Sequence, residues 1–243
     1  EDTSPEPTKS LSELEGELKK TGKLWEVYQN IELPLIPILK KLNERGILIN
    51  LNHLKKLSES SHQELTELEK EIYKLAGREF NINSPKQLGE ILFDELKLTV
   101  KGLKKTAGGA RSTRESELLK LRDENPIVGK IIEFREFSKL LSTYIDALPS
   151  LVDSVDRVHA RFIQAGTTTG RMASEDPNLQ NIPIRSELGK NIRRAFIAAD
   201  RFDLVAFDYS QIELRIAAFL SGDENLIEIF RSNGVEPFDL YER

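Results

Sequence analysis

The sequence predicts an α+β protein that is mostly helical. Apolar residues recur at spacings of three and four over residues 54–75 and again over 127–148, which is typical of long amphipathic helices. After Pro149 the pattern changes to strand-like runs separated by a turn rich in glycine and threonine. We therefore expect a helical arm followed by an α/β body, with the boundary near residue 147.

The segment before the arm predicts a polar linker or tail over residues 1–23, with a short helix from Leu11 to Lys20. A longer helix is expected over residues 24–45, and its two internal prolines should kink or divide it. The residues "ILIN" at 47–50 then predict a brief strand or turn.

The first long helix of the arm has one apolar stripe, and Gly77 should end it. The stripe comprises Leu54, Leu57, Ser61, Leu65, Leu68, Ile72 and Leu75. Ser84 followed by Pro85 is a helix start signal. A basic, glycine-containing loop follows over residues 99–112, and Ser112 or Thr113 should cap a helix that ends at Arg122.

Asn125-Pro126 should open the second long helix of the arm. Its buried side is expected to comprise Ile127, Ile131, Phe134, Leu141, Ile145 and Leu148. Arg135 and Lys139 are four residues apart, so they should lie on one face of this helix.

The body is expected to begin with the strand-like run "RVHARFIQAGTTTGRMAS" at 157–174. The run "RAFIAADRFDLVAFDYS" at 194–210 suggests two further strands around a turn at residues 200–203. Gln211 to Leu220 predicts a helix, and Ser221 with Glu224 predicts a capping box for a last helix to about Arg231.

Composition excludes several classes of protein. The absence of cysteine excludes disulfides and thiolate metal sites, and it fits a reducing compartment. Neither a membrane-spanning run nor a secretory leader is visible, so we expect no membrane partner and a cytoplasmic location.

The net charge of −5 does not by itself suggest a nucleic-acid partner, but the charge is unevenly distributed. Six bases and no acid occur from Lys97 to Arg114, and five bases against two acids occur from Arg185 to Arg201. Such patches attract phosphates. They are also compatible with ordinary solvated charged loops.

Asp208 is the residue that most needs an explanation, because it ends the apolar run Leu204 to Phe207. It is either a strand-end acid that caps the next helix or a metal ligand at a rigid position. Glu213 follows five residues later and could face the same opening. The preceding segment contains Arg171, Asn178, Gln180, Asn181 and Arg185, side chains that suit phosphates and base edges.

Several long motifs resemble the family A DNA polymerases, the bacterial DNA polymerase I group. "DYSQIELR" (208–215) is similar to the first palm motif of that family, and "TGRMASEDPNLQNIPIR" (169–185) is similar to the segment before it. "SGDENLI", "LWEVYQNIELPL", "FNINSPKQLGEILFDELKL" and "LLSTYIDALP" also resemble the family. The resemblance covers about residues 24–230.

The resemblance implies an arrangement of domains. Residues 24–53 would lead into the polymerase domain, 54–146 would be the thumb, and 147–243 would be the first strands and helices of an incomplete palm. The implied activity is template-directed DNA synthesis in replication and repair, from dNTPs on a primer-template, which also implies association with the nucleoid. The implied mechanism uses two metal ions, Mg²⁺ or, as a substitute, Mn²⁺.

The resemblance also implies roles for individual residues. Asp208 would bind both metals, the Tyr209 carbonyl would bind the nucleotide-side metal, and Glu213 would exclude a ribose 2′-hydroxyl. Residues near the nucleotide would include Ser210, Gln211 and Ile212, and Arg171 would lie near the primer terminus. Contacts to DNA are implied for Asn83, Ser84, Lys104, Lys105, Ser112, Thr113, Arg135, Lys139, Arg171, Asn178, Gln180, Asn181 and Arg185.

The fingers helix and the second metal-binding carboxylate of the family are not recognisable in the sequence, and "NGVEPFDLYER" (233–243) departs from the family pattern. We therefore expect the remaining palm and fingers to be a partner, and the chain alone not to extend primers. Two other interpretations are a non-catalytic DNA-binding scaffold that retains the thumb, and a helical interaction module suggested by the stripe at 54–75.

Overall fold

The computed structural model describes residues 9–106 and 108–231. The chain divides into two compact units, one that ends at Asp200 and one that begins at Arg201. Helices dominate, and all strands among the described residues are short and antiparallel. The predicted mostly helical α+β class is therefore confirmed, whereas the functional boundary near residue 147 stays a prediction.

The segment before the arm contains three helices and one strand. Ser10 and Glu13 form a reciprocal capping box at the start of the first helix. The predicted division of the longer helix is confirmed before Pro34, where a π-helical turn at Tyr28–Glu32 interrupts it, whereas Pro37 lies inside α3 without dividing it. The elements are α1 (Leu11–Lys20), α2 (Lys23–Val27), α3 (Leu33–Arg45) and β1 (Ile47–Ile49).

Helix α4 (Leu51–Ala76) is the first long helix of the arm. Asn50 caps its start, and Gly77 ends it in the left-handed conformation, as predicted. Most of the predicted stripe is buried or half-buried, but Leu75 is 42% exposed. The prediction that the stripe stays buried through Leu75 is therefore wrong for this last position.

The other helices of the arm begin largely where the sequence predicts. Ser84 caps α5, and Asn125 caps α7 through the amide of Ile127. The six residues predicted for the buried side of the second long helix are all buried. The elements are α5 (Pro85–Gly89) with a π-helical continuation (Glu90–Glu95), α6 (Glu115–Leu118) with a 3₁₀ turn (Leu119–Leu121), and α7 (Pro126–Leu140) with a π-helical continuation (Leu141–Ile145).

The predicted cap of α6 is wrong. Arg114 occupies the N-cap position, and its side chain makes no capping hydrogen bond. The Ser112 hydroxyl instead accepts from the Arg114 amide at 3.3 Å, which forms a side-chain turn immediately before the helix.

Two hydrophobic cores stabilise the first unit. One lies at the end of the arm and joins α4, α5 and α7 through residues such as Ile72, Leu88 and Ile131. The other lies at the base of the arm and joins Leu54 and Ile145 to Ile192 of the body. Leu65 packs against both cores, so α4 connects them.

The body of the first unit contains two small sheets. Strand β1 lies between β2 (Arg157–Val158) and β5 (Phe196–Ile197), and β3 (Arg161–Ile163) pairs with β4 (Ala173–Glu175) as a hairpin. The strand-like character of 157–174 is thus confirmed. A 3₁₀ turn (Leu148–Ser150) precedes the sheets, and Ser186 caps α8 (Glu187–Arg193).

The second unit contains α9 (Ile212–Ser221) and α10 (Glu224–Arg231), close to the predicted bounds. The predicted strand at 204–207 is wrong: residues 202–209 have no regular structure, and Phe207 is 93% exposed. A strand needs a neighbour for its backbone hydrogen bonds, and none of the described residues supplies one.

The predicted capping box of α10 is also corrected. Asp223, not Ser221, accepts from the amide of Leu226 at 2.9 Å, while Ser221 accepts from the Asp223 amide. The predicted irregularity after Ser232 lies outside the described residues.

Candidate active site and nucleic-acid interface

Asp208 lies in the second unit, four residues before the start of α9, and its side chain is exposed. The residues predicted to lie near the nucleotide, Tyr209 to Ile212, lead directly into the helix. Gln211 has a left-handed backbone with φ of 54°, which turns the chain from the irregular segment before it into α9. Glu213 follows in the first helical turn and is also exposed.

Arg215 holds this loop against the two helices of its unit. Its Nε donates to the carbonyl of Ser210 at 2.8 Å, and its guanidinium lies 4.7 Å from the centroid of the Phe230 ring. Arg215 belongs to the same motif as Asp208, but its role is not predictable from the sequence. The contact to Phe230 depends on how α9 and α10 pack, which no local spacing reveals.

The oxygen donors at this position suit a hard divalent cation. Mg²⁺ and Mn²⁺ favour carboxylate and carbonyl oxygens, which Asp208 and Tyr209 can offer. Within residues 9–106 and 108–231, however, no group of three or more His, Cys, Asp or Glu side chains is placed to hold a metal. The described residues therefore fit part of a metal site.

In the first unit, the hairpin β3–β4 carries Arg171 in its turn. Arg171 is exposed, and its carbonyl accepts from the Thr167 hydroxyl at 2.7 Å, which closes the turn. Gly170 has a left-handed φ of 77°, a conformation that favours glycine. The turn thus presents the Arg171 side chain at the surface.

The loop after the hairpin presents the remaining predicted polar residues of the body. Their side chains are exposed at Asn178, Gln180, Asn181 and Arg185. The Asn178 carboxamide oxygen accepts from the Gln180 amide at 3.1 Å, and its main-chain carbonyl accepts from the Tyr144 hydroxyl at 3.0 Å. Burial raises the pKa of Tyr144, so this hydroxyl keeps its proton and links the loop to the arm.

A groove of about 500 Å³ brings residues of the arm and the body together. The predicted residues Arg135 and Lys139 line it from α7, and Asn178 and Asn181 line it from the loop. Lys139 is exposed and can meet a phosphate directly. Leu118, Leu140 and Tyr144 supply apolar lining surface.

Arg135 is used mainly inside the fold. Its Nε donates to the carbonyl of Ile82 at 3.1 Å and its Nη1 to the carbonyl of Thr113 at 2.7 Å. Nη2 is buried and has no hydrogen-bond partner among the described residues. Burial lowers the pKa of Arg135, although a guanidinium remains charged at any physiological pH.

The other residues predicted on the arm differ in exposure. Lys104 and Lys105 are exposed, and so is Asn83, whose amide donates to Ser138 Oγ at 3.4 Å. Ser84 is half-buried and uses its hydroxyl as the cap of α5. The side chains of Ser112 and Thr113 are each only 5% exposed, so this conformation does not present them to a duplex.

Glu117 organises the basic loop, a role that the sequence does not predict. Its buried carboxylate accepts from the Lys120 ammonium at 2.8 Å and from the Lys104 amide at 2.9 Å. These hydrogen bonds, of which the one from Lys120 has the largest effect, lower the pKa of Glu117 and keep its carboxylate ionised. Lys120 also donates to the carbonyl of Gly102 at 3.0 Å, so Glu117 and Lys120 together anchor the first part of the loop, at Gly102 and Lys104.

Comparison with known proteins identifies the family. Residues 51–243 match the DNA polymerase family A model. The thermostable DNA polymerase I of Thermus thermophilus is 50% identical over 222 residues, 91% of this chain and 26% of that protein. DNA polymerase I of Treponema pallidum is 47% identical over 214 residues, 88% of this chain and 21% of that protein.

A solved structure gives the same result. The POL domain of Pol1 from M. smegmatis, in complex with DNA primer-template and dNTP, matches with a TM-score of 0.80 and 36% identity. The match covers 89% of this chain and 38% of that chain. The fold and the exposed Asp208 motif define part of a polymerase domain, and the chain belongs to DNA polymerase family A.

The chain spans about a quarter of the length of the curated relatives it matches. Among the described residues, no helix has the length and apolar character needed to cross a membrane.

Proposed function

We propose that this chain is part of a DNA-directed DNA polymerase that transfers nucleotides from dNTPs to the 3′-hydroxyl of a primer. The observation that carries the proposal is the family match over residues 51–243, which includes Asp208 and its motif. The match to a polymerase domain solved with primer-template DNA and dNTP supports the same substrates for this chain.

In the proposed reaction, the primer 3′-oxygen forms a bond to the α-phosphorus, and the bond from that phosphorus to the oxygen bridging the α- and β-phosphates breaks. Pyrophosphate leaves, and the hydroxyl proton passes to solvent or to a base. Divalent cations would activate the attacking oxygen and stabilise the leaving one. The Asp208 carboxylate and the Tyr209 carbonyl would hold them, together with ligands from the remainder of the palm.

The loop and α9 would shape the nucleotide side of the site. Ser210, Gln211 and Ile212 would lie beside the triphosphate and the sugar, and Arg215 would keep their loop in place. Glu213, in the first turn of α9, would exclude a sugar with a 2′-hydroxyl. Such steric exclusion needs a fixed side chain, which a helix supplies better than a mobile loop.

The first unit would hold the primer-template. Lys139 and the exposed lysines of the basic loop would contact phosphates, whereas Arg171 and Gln180 would contact the minor groove near the primer terminus. Minor-groove acceptors are nearly the same for every base pair, so such contacts test the shape of a pair without reading sequence. Binding through phosphate contacts would be independent of the DNA sequence and would weaken as the salt concentration rises.

The test is primer extension by the purified chain, with and without a fragment that carries the rest of a family A palm and fingers. We expect no extension by the chain alone, because the second metal-binding carboxylate of the family is not recognisable in the sequence. The mixture should extend the primer when Mg²⁺ or Mn²⁺ is present. Extension by the chain alone would contradict the hypothesis that its catalytic site is incomplete. A mixture that binds DNA without incorporating nucleotides would favour a non-catalytic scaffold.

A further inference from the structure

The ring of His159, between β2 and β3, has an acceptor at each nitrogen. Nδ1 lies 3.0 Å from the main-chain oxygen of Asn43, at the end of α3, and Nε2 lies 2.9 Å from Asp153 Oδ2. A neutral imidazole has one N–H, whereas the imidazolium has two. We infer that His159 is held as the doubly protonated imidazolium and, in that form, fastens the base of the Arg171 hairpin to α3.

The partners of His159 have no proton to give. The Asn43 atom is a carbonyl oxygen, which only accepts. The Asp153 carboxylate also accepts from the amides of Val155 at 2.9 Å and Arg157 at 2.8 Å. The hydrogen bond from His159, followed by these two amides, lowers the pKa of Asp153 to about 2. Asp153 is therefore ionised at neutral pH, and the protons must come from the ring.

The charges around the ring favour the same protonation state. The hydrogen bond to Asp153 is the largest cause that raises the pKa of His159, and the bond to Asn43 adds to it. Arg157 of β2 is the opposing charge, but its guanidinium is occupied with the carbonyls of Arg45 and Gly46 at 3.3 and 3.1 Å. Protonation of His159 thus stabilises the fold at low pH, and this contribution is lost as the pH rises through the raised pKa.

The position of the ring is fixed by the main chain at Gly46. A Cβ atom there would lie 2.8 Å from both Cε1 and Nδ1 of His159, and 2.7 Å from the carbonyl oxygen of Val158. Gly46 also has a left-handed φ of 59°. The ring therefore lies in a slot that only glycine leaves open, which keeps both nitrogens on their acceptors.

The contact reaches the proposed site through the hairpin β3–β4. Asn43 accepts from the Phe162 amide at 3.0 Å through its side chain, and Gln164 donates to the Glu32 carbonyl at 2.8 Å. With the His159 contact, these bonds hold β3 and the residue after it on α3 and the π-helical turn before α3, and the turn of the hairpin carries Arg171. His159 is thus a positioning residue for Arg171, a consequence that depends on the proposed function.

The protonation state can be measured by NMR on the complete chain, which has only three histidines. Long-range ¹H–¹⁵N correlation identifies a neutral or a charged ring, and a pH titration gives the midpoint. We expect two protonated nitrogens at His159 at pH 6.5 and a titration midpoint above the ~6.5 of an ordinary histidine. A single protonated nitrogen at pH 6.5, or a midpoint at or below ~6.5, would overturn the inference.

A matched pair of variants tests the cause. Asp153→Asn keeps the shape of the acceptor but removes its charge and can offer an N–H to a neutral ring, so the His159 midpoint should fall by about one pH unit or more. Asp156→Asn removes a neighbouring exposed charge in the same turn and should leave the midpoint nearly unchanged. Equal midpoints in the two variants would contradict the assigned role of Asp153.

The effect on the hairpin has its own readout in the same titration. The amide chemical shifts of Phe162 and Arg171 should titrate with the same midpoint as the His159 ring, and in Asp153→Asn all of these midpoints should move together. Amide shifts that do not follow the His159 titration would refute the fastening role. An imidazolium ring in a chain that fails to extend primers when completed would refute the proposed function and still support the protonation state. A neutral ring would overturn this inference whatever the enzymatic result.

Discussion

At the scale of single residues, Arg135 serves the fold as well as the groove. Replacing it with alanine removes the donors to the carbonyls of Ile82 and Thr113. We expect Arg135→Ala to lower the free energy of unfolding by about 1–3 kcal/mol, because buried acceptors lose charged donors. Urea unfolding measures this change. The exposed neighbour provides the control: Lys139→Ala should change stability by less than about 0.5 kcal/mol, and equal losses in both variants would contradict the role of Arg135.

The sequence predicts the position of Arg135 but not its partners. A spacing of four residues places Arg135 and Lys139 on one face of α7. The carbonyls that Arg135 contacts are 53 and 22 residues away along the chain, and only tertiary packing brings them near. For the same reason the buried carboxylate of Glu117 could not be found from the charge pattern, which shows only a basic loop.

At the scale of elements, α4 connects the core at the end of the arm with the core at its base. Ile72 is fully buried in the first of these cores. We expect Ile72→Ala to lower the free energy of unfolding by about 2–5 kcal/mol, because it leaves a cavity among packed side chains. Leu75→Ala, three residues further along the same helix, should cost much less because Leu75 is 42% exposed. Denaturant unfolding of the two variants compares them, and similar losses would show that the packing of α4 is misassigned.

Helices were predictable because their signals are local. Each of these signals is carried by residues that are close together in the sequence: the stripe of α4, the Ser84-Pro85 start and the Asn125-Pro126 start. The strand predicted at 204–207 depends on a neighbouring strand, and the apolar run alone cannot say whether one is present. The cap of α10 differed by two residues, since Ser221 and Asp223 are both capable of capping and only the chain path selects Asp223.

At the scale of the whole molecule, the net charge is −5, so local basic surface must carry any binding to DNA. We expect the logarithm of the association constant for primer-template DNA to fall linearly with the logarithm of salt concentration. Lys139→Ala should make this slope shallower by about one unit, because Lys139 lines the groove. Fluorescence anisotropy at several salt concentrations measures the slope.

A lysine outside the groove provides the control for this titration. Lys74 is exposed at the end of α4 and does not line the groove, so Lys74→Ala should keep the original slope. Equal slopes for Lys139→Ala and the unaltered chain would remove the groove from the proposed DNA path. Binding that does not respond to salt would favour the helical interaction module suggested by the stripe of α4.

The central claim is that Asp208 is a metal ligand for nucleotide transfer, and incorporation of a single dNTP by the completed polymerase tests it most directly. Asp208→Asn keeps the size of the side chain and removes its charge, whereas Asp203→Asn makes the same change at an exposed carboxylate five residues earlier. We expect Asp208→Asn to lower the rate by on the order of a hundredfold or more with little change in DNA affinity, and Asp203→Asn to retain the rate. A rate for Asp208→Asn equal to that of the unaltered enzyme would contradict the account.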